Sequence, residues 1–111
     1  MSATIREITQ EEYDAAVKSP GPVVLDFFST ECPPCEALAP KYEALAEQFG
    51  GRVQFLKIFR QGNRELAQRL GVTGSPTLVF YRDGVELGER LTGEIKRSEL
   101  KQRLAALAGQ G

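Results

Sequence analysis

The feature that most constrains this chain is the apolar run Val23-Val-Leu-Asp-Phe-Phe28, followed closely by Cys32-Pro-Pro-Cys35 and then by a helical pattern. Bounded by the turn residues Ser19-Pro-Gly-Pro22, such a run reads as a strand buried on both faces. Downstream, Leu38, Tyr42, Leu45, Ala46 and Phe49 recur along one face of a helix that Gly50-Gly51 stops. Prolines at the first helical positions suit a start between Cys32 and Pro34, and Pro40 inside the helix predicts a kink. A doubly buried strand needs layers on both sides, and the rest of the chain has to supply them.

The remaining pattern does so. Ile5 and Ile8 lie in a short first strand, and Thr9 with Glu12 is a capping-box pair opening a helix that carries Tyr13, Ala16 and Val17. Val53 to Ile58 reads as a strand, and Arg64 to Leu70 as a short helix ending at Gly71. Thr77 to Tyr81, Asp83-Gly84 and Val85 to Leu91 spell a hairpin with Asp-Gly at its tight turn. Ser98 is the expected cap of a last helix that faces Leu100, Leu104 and Leu107 inward. The order is β-α-β-α-β-α-β-β-α. It calls for a mostly parallel sheet with helices on both faces and an antiparallel edge.

Function classes narrow quickly. Fourteen Lys plus Arg against fifteen Asp plus Glu give a net charge of −1, so nothing favours a nucleic acid or an anionic membrane as partner. No apolar run approaches the roughly 18 to 20 residues of a membrane span. The opening Met-Ser-Ala-Thr-Ile-Arg-Glu-Ile-Thr reads as a strand and not as a signal peptide, so a cytoplasmic location is expected. Thiols there are kept reduced, which disfavours a permanent disulfide. The chain has no histidine, which removes Cys-His and Ser-His nucleophile pairs and His-based metal sites.

Between a buried strand and a helix start, Cys32-Pro33-Pro34-Cys35 reads as a redox motif. The helix N-terminus carries unpaired N–H groups and about half a positive charge, both favourable to a thiolate at Cys32. The spacing lets Cys35 reach Cys32. A loop this short is a poor staple, worth about 2 kcal/mol by the chain-entropy formula. A structural disulfide, half of a metal site or two inert buried thiols are the competing readings. An acid at position 26, in an otherwise apolar strand, pays desolvation and acquires a raised pKa suited to proton exchange near neutrality, unless its head reaches water. A lysine at position 57 is as well explained by snorkelling to solvent.

From Ile5 to Leu107 the chain resembles the thioredoxin family. The resemblance rests on Val24-Leu-Asp-Phe-Phe28, the two cysteines, Ala39-Pro40, Lys57, Gly71-Val-Thr-Gly-Ser-Pro-Thr77, Asp83-Gly84 and Gly93, in that order. It implies the thioredoxin fold in one domain over residues 1–111: a mixed, mostly parallel α/β sheet of about five strands flanked by about four helices. It further implies that Cys32 attacks, that Cys35 resolves, and that Asp26 handles the proton of Cys35 with Lys57 nearby. Ser75-Pro76 resembles the family's cis-proline turn, where the Ser75 backbone would pair with an extended substrate. Gly74 and Gly93 would allow close approach, and Glu31, Pro33 and Pro34 would complete the substrate-binding rim. No cofactor or metal is implied. The partners are protein disulfides and a separate electron-donating reductase, with the protein itself a monomer.

The departures from the family pattern lie on that rim. Glu31 stands where Trp is usual, Pro33 where Gly is, and Glu36 where a basic residue is; Phe28 replaces a second Trp, Ser75 an apolar residue, and Arg60 an acid or small residue. With both prolines lacking an N–H, the amides of Cys35 and Glu36 are the ones left to face the sulfur. The expected activity is protein-disulfide reduction. Net oxidation or isomerisation, a binding module dedicated to one partner, and a dimer bridging a metal cluster remain as alternatives.

Overall fold

The computed structural model describes residues 5–109; the first four residues of the opening segment read above lie outside them. The elements are β1 (Ile5–Ile8), α1 (Tyr13–Val17), β2 (Pro22–Phe28), α2 (Pro33–Phe49) and β3 (Gln54–Phe59). A 3-10 turn (Arg60–Gly62) leads to α3 (Arg64–Leu70), β4 (Thr77–Arg82), β5 (Val85–Glu86), β6 (Leu91–Thr92) and α4 (Arg97–Ala108). They form a thioredoxin fold, a mixed sheet of order β1-β3-β2-β4-β5 with β6 also on β4.

Strand alternation sorts β2 onto two sides. Val23, Leu25 and Phe27 pack with residues of α1 and α3, whereas Val24 packs with α2 and α4. Asp26 therefore shares the α2 side with Val24. Of β2, only its end residues escape full burial, as its apolar run demands. On α2 the buried residues are the stripe read from the spacing, Leu38, Tyr42, Leu45, Ala46 and Phe49, together with Cys35. The helix runs on across Pro40 without a break. At Asp83-Gly84 both residues have positive φ, 52° and 84°, the geometry of a two-residue hairpin turn that matches strand twist.

Four details differ from expectation. The sheet is parallel only at β1–β3 and β3–β2; β4 runs antiparallel to β2 along its whole length. After α3 the chain re-enters the sheet at the end where β3 finished, with Thr77 of β4 opposite Phe27 near the end of β2. The returning arm of the hairpin divides into β5 and β6, because Gly88 (φ 72°) interrupts the extended backbone between them. Lys96, not Ser98, occupies the N-cap of α4. Ile95 before the cap and Leu100 in the first turn are buried in one cluster, and this hydrophobic staple sets the start. Finally, Glu12 does accept the Thr9 N–H (2.9 Å), but the turn so closed precedes α1 proper.

Candidate active site

At the carboxyl end of β2 the chain turns through Ser29–Glu31 and enters α2 with Cys32 as N-cap. Cys32 and Cys35 are disulfide-bonded, with Cα atoms 5.2 Å apart. Both residues are 9% exposed, so accessibility does not distinguish them. Their surroundings do. The Cys32 Sγ accepts the N–H of Cys35 at 3.3 Å and lies 3.5 Å from the Ser75 carbonyl oxygen. The Glu36 amide, counted above as free to face the sulfur, instead donates to the Cys32 carbonyl at 3.0 Å. It closes the first helical turn, and one amide is left for the sulfur.

The prolines occupy the first two helical positions. Pro33 is exposed and Pro34 half-buried. Together with Ala37, Lys41, Glu94, Ile95 and Lys96 they line a groove of about 490 Å³. Glu31 and Glu36 are both exposed, and Glu31 holds a left-handed backbone (φ 51°), a costly conformation for a residue with a Cβ.

Beneath the cysteine helix, β2 and β3 place Asp26 beside Lys57 in register, on the α2 side of the sheet. Asp26 is buried and its Oδ1 has no hydrogen-bond partner. Burial raises its pKa to about 7, against an opposing attraction to the Lys57 ammonium. Lys57 is half-buried, and its Nζ lies 5.4 Å from the centre of the Phe28 ring, which in turn packs against Phe59. Among the described residues no ion pair within 4 Å joins Lys57 to Asp26. The aspartate is thus a poorly solvated carboxyl, poised to hold or release a proton near neutrality.

Across from the cysteines, the Ser75-Pro76 peptide bond is cis. Gly74 has open space where a Cβ would stand, and so does Gly93, whose N–H donates to the Pro76 carbonyl at 3.2 Å. Of the residues singled out in the sequence, Cys35 and Ser75 are in contact with the Cys32 sulfur, the prolines follow it on α2, and Asp26 and Lys57 lie paired in register on the α2 side of the sheet.

Three contacts escaped the sequence reading. The Tyr42 hydroxyl lies 2.6 Å from the Leu56 carbonyl and 3.2 Å from that of Val24, tying α2 to β3 and β2. Tyrosine on a buried helical face, in place of an aliphatic residue, was the available signal. Ser29 and Arg60 converge on Ser75: the hydroxyls of Ser29 and Ser75 are 2.5 Å apart, and Arg60 Nε donates to the Ser75 hydroxyl at 2.8 Å. Only the unusual Arg60 hinted at this.

The family model for thioredoxin matches residues 4–106. A thioredoxin of Peptoclostridium acidaminophilum is 34% identical over 98% of this chain and 100% of its own length. The chloroplastic thioredoxin X of Arabidopsis thaliana is 33% identical over 93% of this chain, which spans 58% of that relative. Among solved structures, a mutant thioredoxin from Halobacterium salinarum superposes with a TM-score of 0.86 at 31% identity, covering 96% of this chain and 93% of that one.

Proposed function

The chain belongs to the thioredoxin family and is a thiol–disulfide oxidoreductase, and from that premise we propose that it works as a cytosolic protein-disulfide reductase through Cys32 and Cys35. The Cys32 thiolate attacks one sulfur of a substrate disulfide, forms a mixed disulfide and expels the other substrate sulfur as a thiolate. Cys35 then attacks Cys32 Sγ, releases the second substrate thiolate and closes the Cys32–Cys35 disulfide. Two electrons pass from the dithiol to the substrate. A separate dithiol-regenerating reductase restores them, and the protein acts as a monomer.

The observation that carries this reading is the seat of Cys32 at the head of α2, where its sulfur meets the Cys35 amide and the Ser75 carbonyl. An attacking thiolate needs a positive dipole and an open edge for substrate backbone. Cys35 lies one turn inside α2, buried on the side of the sheet that Asp26 also faces, and in this reading the Asp26 carboxylate accepts the proton Cys35 must lose before it can attack. Ser75, Gly74 and Gly93 receive the substrate backbone, while Glu31, Pro33 and Pro34 sort partners.

The test is turnover of a protein disulfide with dithiothreitol as donor. Cys32→Ser abolishes it, whereas Cys35→Ser keeps the attack and accumulates covalent mixed disulfides. Stable adducts from Cys32→Ser, with none from Cys35→Ser, reverse the assignment. The exposed carboxylates of Glu31 and Glu36 favour a second reading, a module dedicated to one basic partner. In that case the wild-type protein turns over general protein disulfides poorly.

A further inference from the structure

Resting on the reductase reading, we propose that Arg60 and Arg64 form a subsite for a carboxylate carried by the disulfide substrate, beside the sulfur it exchanges with. The subsite begins at Ser75. The carbonyl of this residue is 3.5 Å from Cys32 Sγ, and its hydroxyl accepts from Arg60 Nε at 2.8 Å, so the guanidinium is held one residue away from the reacting atom. The Ser29 hydroxyl, 2.5 Å from that of Ser75, braces the same serine from the β2 side.

Arg64 reaches the same place from the start of α3, with its Nε on the Gln61 carbonyl at 3.3 Å. Each arginine therefore spends its Nε on the protein and is fixed in direction, leaving the terminal nitrogens of its fork for a ligand. Among the described residues neither guanidinium has a carboxylate within 4 Å. The two line a cavity of about 330 Å³ with Gln61 and Gln68 at its polar wall and the buried Ala67 and Val72 at its floor. Two unneutralised guanidiniums above an apolar floor suit a planar anion that accepts paired N–H bonds, which is a carboxylate.

An extended substrate lying along Ser75 advances about 3.3 Å per residue. Its side chains one or two positions from the exchanging cysteine therefore fall at Arg60 and the cavity beyond. The carboxylate belongs either to an Asp or Glu flanking a protein disulfide or to a small acidic thiol such as the glutathione tripeptide. The acidic Glu31 and Glu36 stand on the α2 side of the sulfur, so the rim is charged oppositely on its two sides and selects the direction in which a substrate lies.

The experiment compares kcat/KM for amidated peptide disulfides carrying Glu or Gln one and two positions from the cysteine. Oxidised glutathione against its ethyl ester is a second pair, and wild type, Arg60→Gln and Arg64→Gln are the enzymes. We expect the acidic member to be favoured about 5- to 10-fold in at least one pair, the preference shrinking with added salt and falling towards unity in both variants. Preference in the peptides assigns the subsite to acidic protein segments, and preference in glutathione alone assigns it to the tripeptide. Arg64→Gln leaves the Ser75 contact untouched, so its loss of preference separates carboxylate binding from disturbance of the turn. Wild-type ratios near one, or ratios unchanged in both variants, overturn the subsite while the reductase reading stands. No turnover of any of these disulfides, or of a protein disulfide, overturns both.

Discussion

The two faces of β2 and β3 are built from alternate residues of the same two strands, yet they serve opposite ends. One face presents Val23, Leu25 and Phe27 beside Leu56 and Ile58, all buried among apolar side chains of α1 and α3. The other presents Val24 and Phe55 but also Asp26, Lys57 and the hydroxyl of Tyr42 reaching in from α2. The first face stabilises the fold by removing apolar surface from water, about 1.5–3 kcal/mol for each large side chain fully buried. The second gives up part of that gain, because a carboxyl without a partner is costly to bury. The cost falls under the cysteine helix, where a titrating group is useful. Stability and chemistry are thus divided between the two sides of one sheet.

The sharpest way to break this comparison is to cut into each face in turn. Leu25→Ala should cost about 2–5 kcal/mol in urea unfolding and leave the thiol chemistry of the folded molecules unchanged, since Leu25 faces away from α2. Altered thiol reactivity in the folded fraction would show that the faces are coupled. Asp26→Asn should do the reverse, raising stability while slowing release of the mixed disulfide. The Asp26 pKa is raised from 3.8 to about 7, so the folded protein holds this proton more tightly than the unfolded chain. Its contribution to stability is fully present below pH 4 and is lost as pH rises towards 7. The variant should match wild type at pH 4 and exceed it increasingly up to neutrality, by as much as about 4 kcal/mol at 1.36 kcal/mol per unit. A constant difference across that range would mean that Asp26 does not titrate as a buried acid.

Smaller effects sharpen the picture. Tyr42→Phe removes the hydroxyl on the Leu56 carbonyl and should cost about 1–2 kcal/mol, measured by the same unfolding curves. It tests whether polar atoms on the second face also hold α2 in place. At the rim, Glu36→Lys and Pro33→Gly should each lower the titration midpoint of Cys32, followed by the pH dependence of iodoacetamide alkylation. The first removes a nearby negative charge, and the second restores an N–H at the helix start. Because Glu36 is exposed, the shift should be well under ~1 unit and shrink with salt. If both variants titrate like wild type at low salt, the rim governs recognition alone.

What the sequence disclosed follows the same division. Elements that depend on local pattern were legible: the doubly buried β2 from its apolar run, the buried stripe of α2, and the Asp83-Gly84 turn. The cysteine pair was legible too, since adjacency along the chain makes adjacency in space. Contacts between distant segments were not. Nothing at Ser29, Arg60 or Ser75 taken singly says that their side chains meet. The strand direction of β4 was misjudged because element order carries no record of the end at which the chain re-enters the sheet after α3. The start of α4 was misplaced because the burial of Ile95 and Leu100, a tertiary effect, outweighed a favourable capping residue.

The direction of electron flow is the central claim, and the equilibrium reduction potential of the Cys32–Cys35 pair at pH 7 tests it most directly. A thiolate that is strongly stabilised keeps a dithiol reduced and makes its disulfide an oxidant. Here a single amide faces the sulfur, both prolines lack an N–H, and two exposed carboxylates flank the motif. Such a thiolate is weakly stabilised and gives up its electrons readily. The expected potential is more reducing than about −220 mV, on the side of the roughly −270 mV typical of thioredoxins. A less negative value, towards the roughly −180 mV of disulfide isomerases, would contradict the reductase assignment.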